Sequence, residues 1–349
     1  MSPSSSRRVP ISAHGPAVPE IRHDALTGSR VIVAPGRARR PAVPRPELQR
    51  AAEPEYDPDC PFCPGNEKET PPEAYRLPGE DVGADGWQVR VFPNKFPALV
   101  SVAGAVSHPG HFHHSEPATG RHEVIVETMS HARRLTGFRD EEMLSVLRAY
   151  RARFAAAAAD PRVKHVVIFR NQGNLANASL PHPHSQLAGL AFVPDVTARV
   201  LERSREHRGA GGHALLFDIV QDEIESEIRL VDVDRRFASF VPFAPNHEFE
   251  MWLAPRFVPP RFDRVDDDTL LEFGRALRRA LSRLESQLDD PDYNYVLHTP
   301  PLHENAETIL PWYVQIIPRL SVMAGFELGI GVQIAITAPE EAAARLRGD

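Results

Sequence analysis

One succession of patterns occurs twice along this chain, and it limits the fold more than any other feature. In the first half the β-rich run His122–Glu127 precedes a stretch in which Met143, Leu144, Leu147, Tyr150 and Phe154 recur at spacings of three and four. That periodicity predicts a helix with one apolar face. Asp140, Glu141 and Glu142 open it, where a helix N-terminus attracts negative charge. A short apolar strand, Val166–Phe169, comes next. It leads through a Gly/Asn/Ala/Ser loop over 171–179 into Pro181-His182-Pro183-His184-Ser185-Gln186-Leu187. The second half repeats the order. The run His247–Leu253 precedes an acidic start at Asp266–Asp268 and a leucine-rich helical stretch (Leu270, Leu271, Leu277, Leu281, Leu284, Leu288). Then come Tyr293–Leu297 and Trp312–Ile317, the last lying where the histidine motif would fall. Matching elements at matching intervals predict an internal duplication of an α+β unit. Only the first copy carries the histidine pair, so one copy is expected to do chemistry while the other shapes the site.

With 349 residues, 42% hydrophobic and 25% charged, the chain has material for two ordinary domains. We expect a disordered Ser/Pro-rich tail over residues 1–19, an N-terminal catalytic half over 20–210 and a degenerate C-terminal half over 211–349. No apolar run is long enough to span a membrane, and the tail lacks the apolar stretch of a secretory signal. A net charge of −7 argues against a general nucleic-acid binder, which needs a basic surface. The two cysteines, Cys60 and Cys63, stand together as C-P-F-C, a spacing suited to redox or metal chemistry in a reducing cytoplasm. Such a pair is half of a tetrahedral metal site.

His182 and His184 differ from the histidines at 108, 111, 113 and 114, which crowd a Gly/Pro/Ser-rich stretch and read as a solvated loop. Alternate side chains of an extended segment share a face, and Pro183 restricts the backbone between the two imidazoles. A neutral, fixed imidazole is a good nucleophile toward phosphorus and leaves again once phosphorylated. Gln186 would then donate to a non-bridging phosphoryl oxygen, where a carboxylate would repel it. The upstream loop supplies small residues, backbone N–H groups and the Ser179 hydroxyl for phosphate contacts.

The stretch Ala178-Ser179-Leu180-Pro181-His182-Pro183-His184-Ser185-Gln186 resembles the active-site signature of the galactose-1-phosphate uridylyltransferase family, a branch of the histidine triad superfamily. Further segments resemble that family in the same order: Leu26-Thr27-Gly28, Arg37-Ala38-Arg39-Arg40-Pro41, Cys60-Pro61-Phe62-Cys63-Pro64-Gly65-Asn66, Val91 to Leu99, Ile317-Pro318-Arg319-Leu320 and Gly325-Phe326-Glu327. The resemblance implies a duplicated histidine-triad-like fold, a cytoplasmic homodimer and a ping-pong transfer of UMP between UDP-glucose and galactose 1-phosphate. It implies His184 as nucleophile and Gln186 as the residue that holds the nucleotidyl group. For substrate it implies Asn171 and Ser179 at the phosphates, Arg37 and Arg40 approaching them from the arm, Asn94 and Phe96 beside base and ribose, and Glu327 and Gln333 near the sugar. It also implies one structural zinc held by Cys60, Cys63, His131 and His182.

Three departures stand out. Pro311-Trp312-Tyr313 replaces the His-x-His pair that holds a second metal in some family members, so His298 is expected as a packed or hydrogen-bonded structural residue with no metal. Lys95 replaces an acidic residue that contacts the nucleoside in some uridylyltransferases. The loop from Gly173 to Ser179 is bulkier than usual. Relatives sharing the motif act as phosphorylases, with ADP-glucose as donor and phosphate as acceptor, and that alternative follows from the same residues. A non-catalytic nucleotide-binding protein would leave His184 without a purpose, and hydrolytic members carry a histidine in place of Gln186.

Overall fold

The computed structural model describes residues 18–39, 53–79, 86–101, 112–304 and 306–349. The first half contains β1 (Glu20–His23), β2 (Arg30–Val33), β3 (Tyr75–Pro78), β4 (Trp87–Pro93), β5 (Gly120–Val126), α1 (Asp140–Ala158), β6 (His165–Gln172) and β7 (His184–Leu190). Two helices follow, α2 (Asp195–Gly209) and α3 (Leu215–Ser226). The second half contains β8 (Leu230–Val233), β9 (Phe237–Phe240), β10 (Met251–Pro255), α4 (Asp267–Gln287), β11 (Tyr293–His298), β12 (Tyr313–Pro318), α5 (Gly325–Ile330), β13 (Gln333–Ala335) and α6 (Pro339–Arg347). No helix among the described residues is long and apolar enough to cross a membrane.

Among the described residues, ten strands form one antiparallel sheet in the order β3-β4-β5-β7-β6-β11-β12-β10-β9-β8. Read from the two edges inward, the halves have the same connectivity, and they meet where β6 pairs with β11 (Val296 opposite Phe169). The duplication expected from the repeated pattern is therefore a two-fold arrangement of two five-stranded units in one sheet. The register aligns Gln186, opposite Val124 and Phe169, with Gln315, opposite Trp252 and Val296. One expectation needs correction. The strand of the second half starts at Met251, not His247. The Glu250 carboxylate accepts the backbone N–H groups of Asn246 and His247, and Phe249 turns with φ of 56°, so this segment coils instead of extending.

Helices α1 and α4 lie together on one face of the sheet. Each start is satisfied locally: Glu142 accepts from the Arg139 N–H at 2.7 Å, and Asp266 from the Thr269 N–H at 2.8 Å. Met143, Leu147, Phe154, Leu277 and Leu281 join Ile125, Ile168, Leu187 and Ile316 in the main core. The helices approach closely at Gly274, where a Cβ would press into Met143. The opposite face is covered differently in each half. Over the second, α2 and α3 bury Leu201, Leu216 and Val220 against Phe240, Trp252 and Tyr313. Over the first, the segment around Cys60, Phe62 and Cys63 packs on Phe92, Val124 and Val126, and among the described residues the rest of that face is open. A small sheet joins the ends of the chain: β1 pairs with β2, and β13 runs parallel to β2.

Burial of His165 at the start of β6 gives a pH signature. Desolvation, with His298 adding like charge, holds its imidazole down at about 4. In the unfolded chain it would take up a proton near its ordinary value of about 6.5. The stability it contributes is therefore full above pH 6.5 and falls by about 1.4 kcal/mol per pH unit as the solution is acidified toward pH 4. His165→Leu should show a shallower decline of Tm across that window than the parent chain.

Candidate active site

His184 and Gln186 project from β7 onto the open face, and the intervening Ser185 points the other way. Strand alternation dictates this once Leu187 is buried in the helix-side core. The two side chains line a cavity of about 500 Å³ with Phe62, Asn94, Phe96 and Ser179. Lys95 also lines it, its ammonium donating to the Glu69 carbonyl at 3.3 Å. Phe96 is 83% exposed, an aromatic face presented to solvent at the mouth.

The His184 ring has a defined orientation. Its Nδ1 lies 2.8 Å from the His182 carbonyl, which can only accept, so Nδ1 carries the proton and Nε2 keeps its lone pair. Burial holds the imidazole down at about 4, with Arg170 lowering it further against the carbonyl's opposing pull. A neutral ring with a free Nε2 is the state a nucleophile needs. Phe62 packs edge-on against it at 5.3 Å between centroids.

Behind β7 lies a buried polar cluster that the sequence reading did not anticipate. Ser185 hydrogen-bonds Tyr150 and the Glu127 carboxylate, Tyr150 donates to Glu127 at 2.8 Å, and Tyr150 meets Tyr295 at 2.6 Å. Arg170 forms an ion pair with Glu127. Burial raises the Tyr150 hydroxyl well above its ordinary range, so it stays a neutral donor. The cluster ties the back of the histidine strand to α1 and to β11 of the second half. The alternation of His184, Ser185 and Gln186 was the available signal, because a serine facing inward needs buried partners.

Cys60, Cys63, His131 and His182 come together in space. Their ligand atoms all lie within 4.8 Å of one another and all four residues are buried, so the group could hold a metal ion. Cys63 Sγ is 3.4 Å from His131 Nδ1 and 3.6 Å from His182 Nδ1, and Cys60 Sγ is 3.8 Å from His182 Nδ1. His182 Nε2 donates to the Thr128 carbonyl at 2.8 Å, which leaves Nδ1 unprotonated toward the sulfurs. Burial and the neighbouring Cys63 push the Cys60 thiol up to about 11.

The loop after β6 is held by the second half. Asp292 accepts from the Leu175 N–H at 2.6 Å, and Asn294 donates to the Asn171 side-chain oxygen at 2.8 Å and to the Ala176 carbonyl at 2.9 Å. Gly173 adopts φ of 86°, and a Cβ there would overlap the Asp292 carboxylate. Gly173→Ala is thus expected to destabilise the protein by about 1–3 kcal/mol and, by displacing the loop that leads to the His184 strand, to lower kcat. Thermal melting and kcat measured together check it.

The structure gathers Asn94, Phe96, Ser179, His184 and Gln186 around one cavity. Asn171 stands at the end of β6, tied to the second half through Asn294. It does not bring every expected residue there. Glu327 and Gln333 line a separate cavity of about 240 Å³ with His247 and Arg319. Arg37 lies in an exposed turn of 3-10 helix, Pro35–Arg39, and lines neither cavity. Arg40, His108 and His111 lie outside the described residues, whereas His113 and His114 are exposed. His298 hydrogen-bonds Gln315 at 2.9 Å and stacks on Tyr313 at 4.8 Å. Tyr313 occupies the position that corresponds to His184.

Comparison with known proteins shows the family. An ADP-glucose phosphorylase of Arabidopsis thaliana is 33% identical over 94% of this chain and 92% of its own length. A galactose-1-phosphate uridylyltransferase of Haemophilus influenzae is 26% identical over 94% of each chain. Among solved structures, the Arabidopsis ADP-glucose phosphorylase with bound ADP-glucose superposes with a TM-score of 0.80 at 31% identity, covering 95% of this chain and 99% of its own. A uridylyltransferase mutant gives 0.74 at 27% identity, covering 94% and 96%. The model of the galactose-1-phosphate uridyl transferase N-terminal domain matches residues 13–194. The chain belongs to the galactose-1-phosphate uridyl transferase family, on a duplicated α+β fold.

Proposed function

We propose that this chain is a nucleotidyltransferase that takes a nucleoside monophosphate from a nucleotide sugar onto His184 and passes it to a phosphate-bearing acceptor. The observation that carries the reading is the bond from His184 Nδ1 to the His182 carbonyl, which leaves Nε2 as an unprotonated nucleophile at the cavity wall. In the first displacement an Nε2–P bond forms and the bond from phosphorus to the leaving phosphate oxygen breaks, releasing hexose 1-phosphate. In the second, an acceptor phosphate oxygen attacks the same phosphorus and frees the imidazole. Gln186 donates to a non-bridging oxygen throughout. Ser179 and Asn171 serve the phosphates, and Asn94 and Phe96 flank the nucleoside.

The leading substrates are UDP-glucose and galactose 1-phosphate, in keeping with the family and with the Haemophilus relative. A second reading, ADP-glucose with inorganic phosphate, is favoured by the higher identity to the Arabidopsis phosphorylase, 33% against 26%. Product analysis separates them. UDP-glucose with galactose 1-phosphate should yield UDP-galactose and glucose 1-phosphate, whereas ADP-glucose with phosphate should yield ADP and glucose 1-phosphate. Neither product from a folded protein would end both.

The Cys60, Cys63, His131 and His182 group suits zinc. Zinc–sulfur and zinc–nitrogen bonds of about 2.3 and 2.0–2.1 Å at tetrahedral angles require sulfur–nitrogen edges of about 3.6 Å. Three of the four sulfur–nitrogen separations run from 3.4 to 3.8 Å, and the fourth lies within 4.8 Å. With four protein ligands the ion would be structural, joining the Cys60–Cys63 segment to the strand that carries His184. A reducing cytoplasm fits two thiols kept for a metal. The substrate roles of Arg37, Arg40, Glu327 and Gln333, and assembly as a homodimer, follow from the family resemblance. Residues 20–210 then supply the chemistry and 211–349 brace it, Asp292 and Asn294 being the clearest braces.

A further inference from the structure

Gln186 is useful to a phosphoryl group only if its NH₂, and not its oxygen, faces the cavity. Nothing in Gln186 itself decides this, because the two ends of an amide have the same shape. Its surroundings decide it. His122, on β5, places Nε2 at 2.8 Å from Gln186 Oε1. The Ala98 N–H reaches His122 Nδ1 at 3.0 Å. A backbone N–H can only donate, so Nδ1 is the acceptor and the proton of a neutral ring sits on Nε2, aimed at Gln186. Asn94 Nδ2 approaches the same oxygen at 3.3 Å, and its own orientation is set by the Phe96 N–H, which donates to Asn94 Oδ1 at 2.9 Å. Turning the Gln186 amide over would set its NH₂ against two donors and leave its oxygen toward the anion.

We propose that His122 is a positioning residue: the segment Asn94–Ala98, acting through His122 and Asn94, locks the Gln186 amide so that both its N–H bonds remain for the phosphoryl oxygens of the nucleotide. The inference rests on the reading of Gln186 as a donor to the nucleotidyl group. The second copy of the fold supports it by contrast. Glu250 occupies the position that corresponds to His122, and there Gln315 is turned the other way, its Nε2 donating to Glu250 at 2.8 Å while its oxygen faces His298. An acceptor at this position gives one amide orientation and a donor gives the other, in the same register of the same fold.

The test measures the single-turnover rate of nucleotidyl-enzyme formation by quenched intact-mass analysis, using UDP-glucose and ADP-glucose as donors. His122→Leu should slow adduct formation about 10–100-fold, a fraction of the effect of losing an oxyanion donor outright. His122→Gln, which keeps an N–H donor, should recover most of the rate. In a Gln186→Ala background the same His122→Leu change should alter the rate less than about two-fold, because there is no amide left to orient. A merely structural His122 would slow both backgrounds alike, and that result overturns the proposal, as does a His122→Leu rate equal to the parent. His122→Ala, run alongside, gives the same comparison should the leucine variant not fold. Absence of adduct in the parent chain would instead strike the covalent reading on which the inference rests.

Discussion

His184→Ala is expected to abolish the nucleotidyl-enzyme and to lower the overall transfer rate by about 10⁴–10⁶-fold, the scale on which loss of a nucleophile is felt in covalent catalysis. The reasoning is geometric. Among the described residues lining the cavity, His184 alone presents a ring nitrogen with a free lone pair, since its other nitrogen is bonded to the His182 carbonyl. Gln186, Asn94 and Ser179 offer an amide or a hydroxyl, and neither replaces a neutral imidazole at phosphorus. The ring is buried, so truncation also leaves a void beside Phe62, yet the core that stabilises the fold lies across the sheet among α1 and α4. The variant should therefore fold and still bind a nucleotide sugar. Calorimetric binding retained with transfer lost is the expected pattern. Transfer within ten-fold of the parent would remove His184 from the mechanism.

The second large effect is expected from the cysteines. Cys63→Ser should reduce bound metal from about one equivalent to none and lower Tm by roughly 10 °C or more, since structural zinc contributes folding free energy directly. Cys63 is completely buried, and its sulfur faces both His131 and His182. Losing the ion would leave two neutral imidazoles and a lone thiol packed without a common partner. The effect should spread to catalysis, because the His182 that donates Nδ1 to the cluster also gives its carbonyl to His184. Metal content by elemental analysis and melting by calorimetry check it. An unchanged metal content and an unchanged Tm would remove the metal from the account.

The parts of the site that were legible in the sequence are the local ones. His182, His184 and Gln186 lie within five residues, so the motif could be picked out from the chain alone, and strand alternation accounts for His184 and Gln186 sharing one face with Ser185 on the other. The repeated strand–helix–strand order likewise showed the duplication, because hydrophobic periodicity survives even where the histidines have been replaced by Pro311 and Tyr313. What stayed hidden depends on contacts between distant segments. His122 was read only as the first residue of a strand. Its bond to Gln186 spans 64 positions and requires the β5–β7 register to be known. Nothing in the sequence around Asp292 marks it, yet it holds the Gly173 loop from the other half of the molecule. The start of β10 was misplaced because Phe249 and Met251 alternate as strand residues do. Capture of two backbone N–H groups by Glu250, a local side-chain-to-backbone contact reaching back three and four residues, outweighs this pattern.

Intact-mass analysis of the purified chain, mixed separately with UDP-glucose and ADP-glucose and then challenged with acceptor, addresses the covalent transfer itself. The account predicts a gain of one UMP or one AMP with a donor alone, absent in His184→Ala, and its disappearance when galactose 1-phosphate or phosphate is added. A folded, metal-loaded protein that turns over substrate with no such mass gain would contradict it.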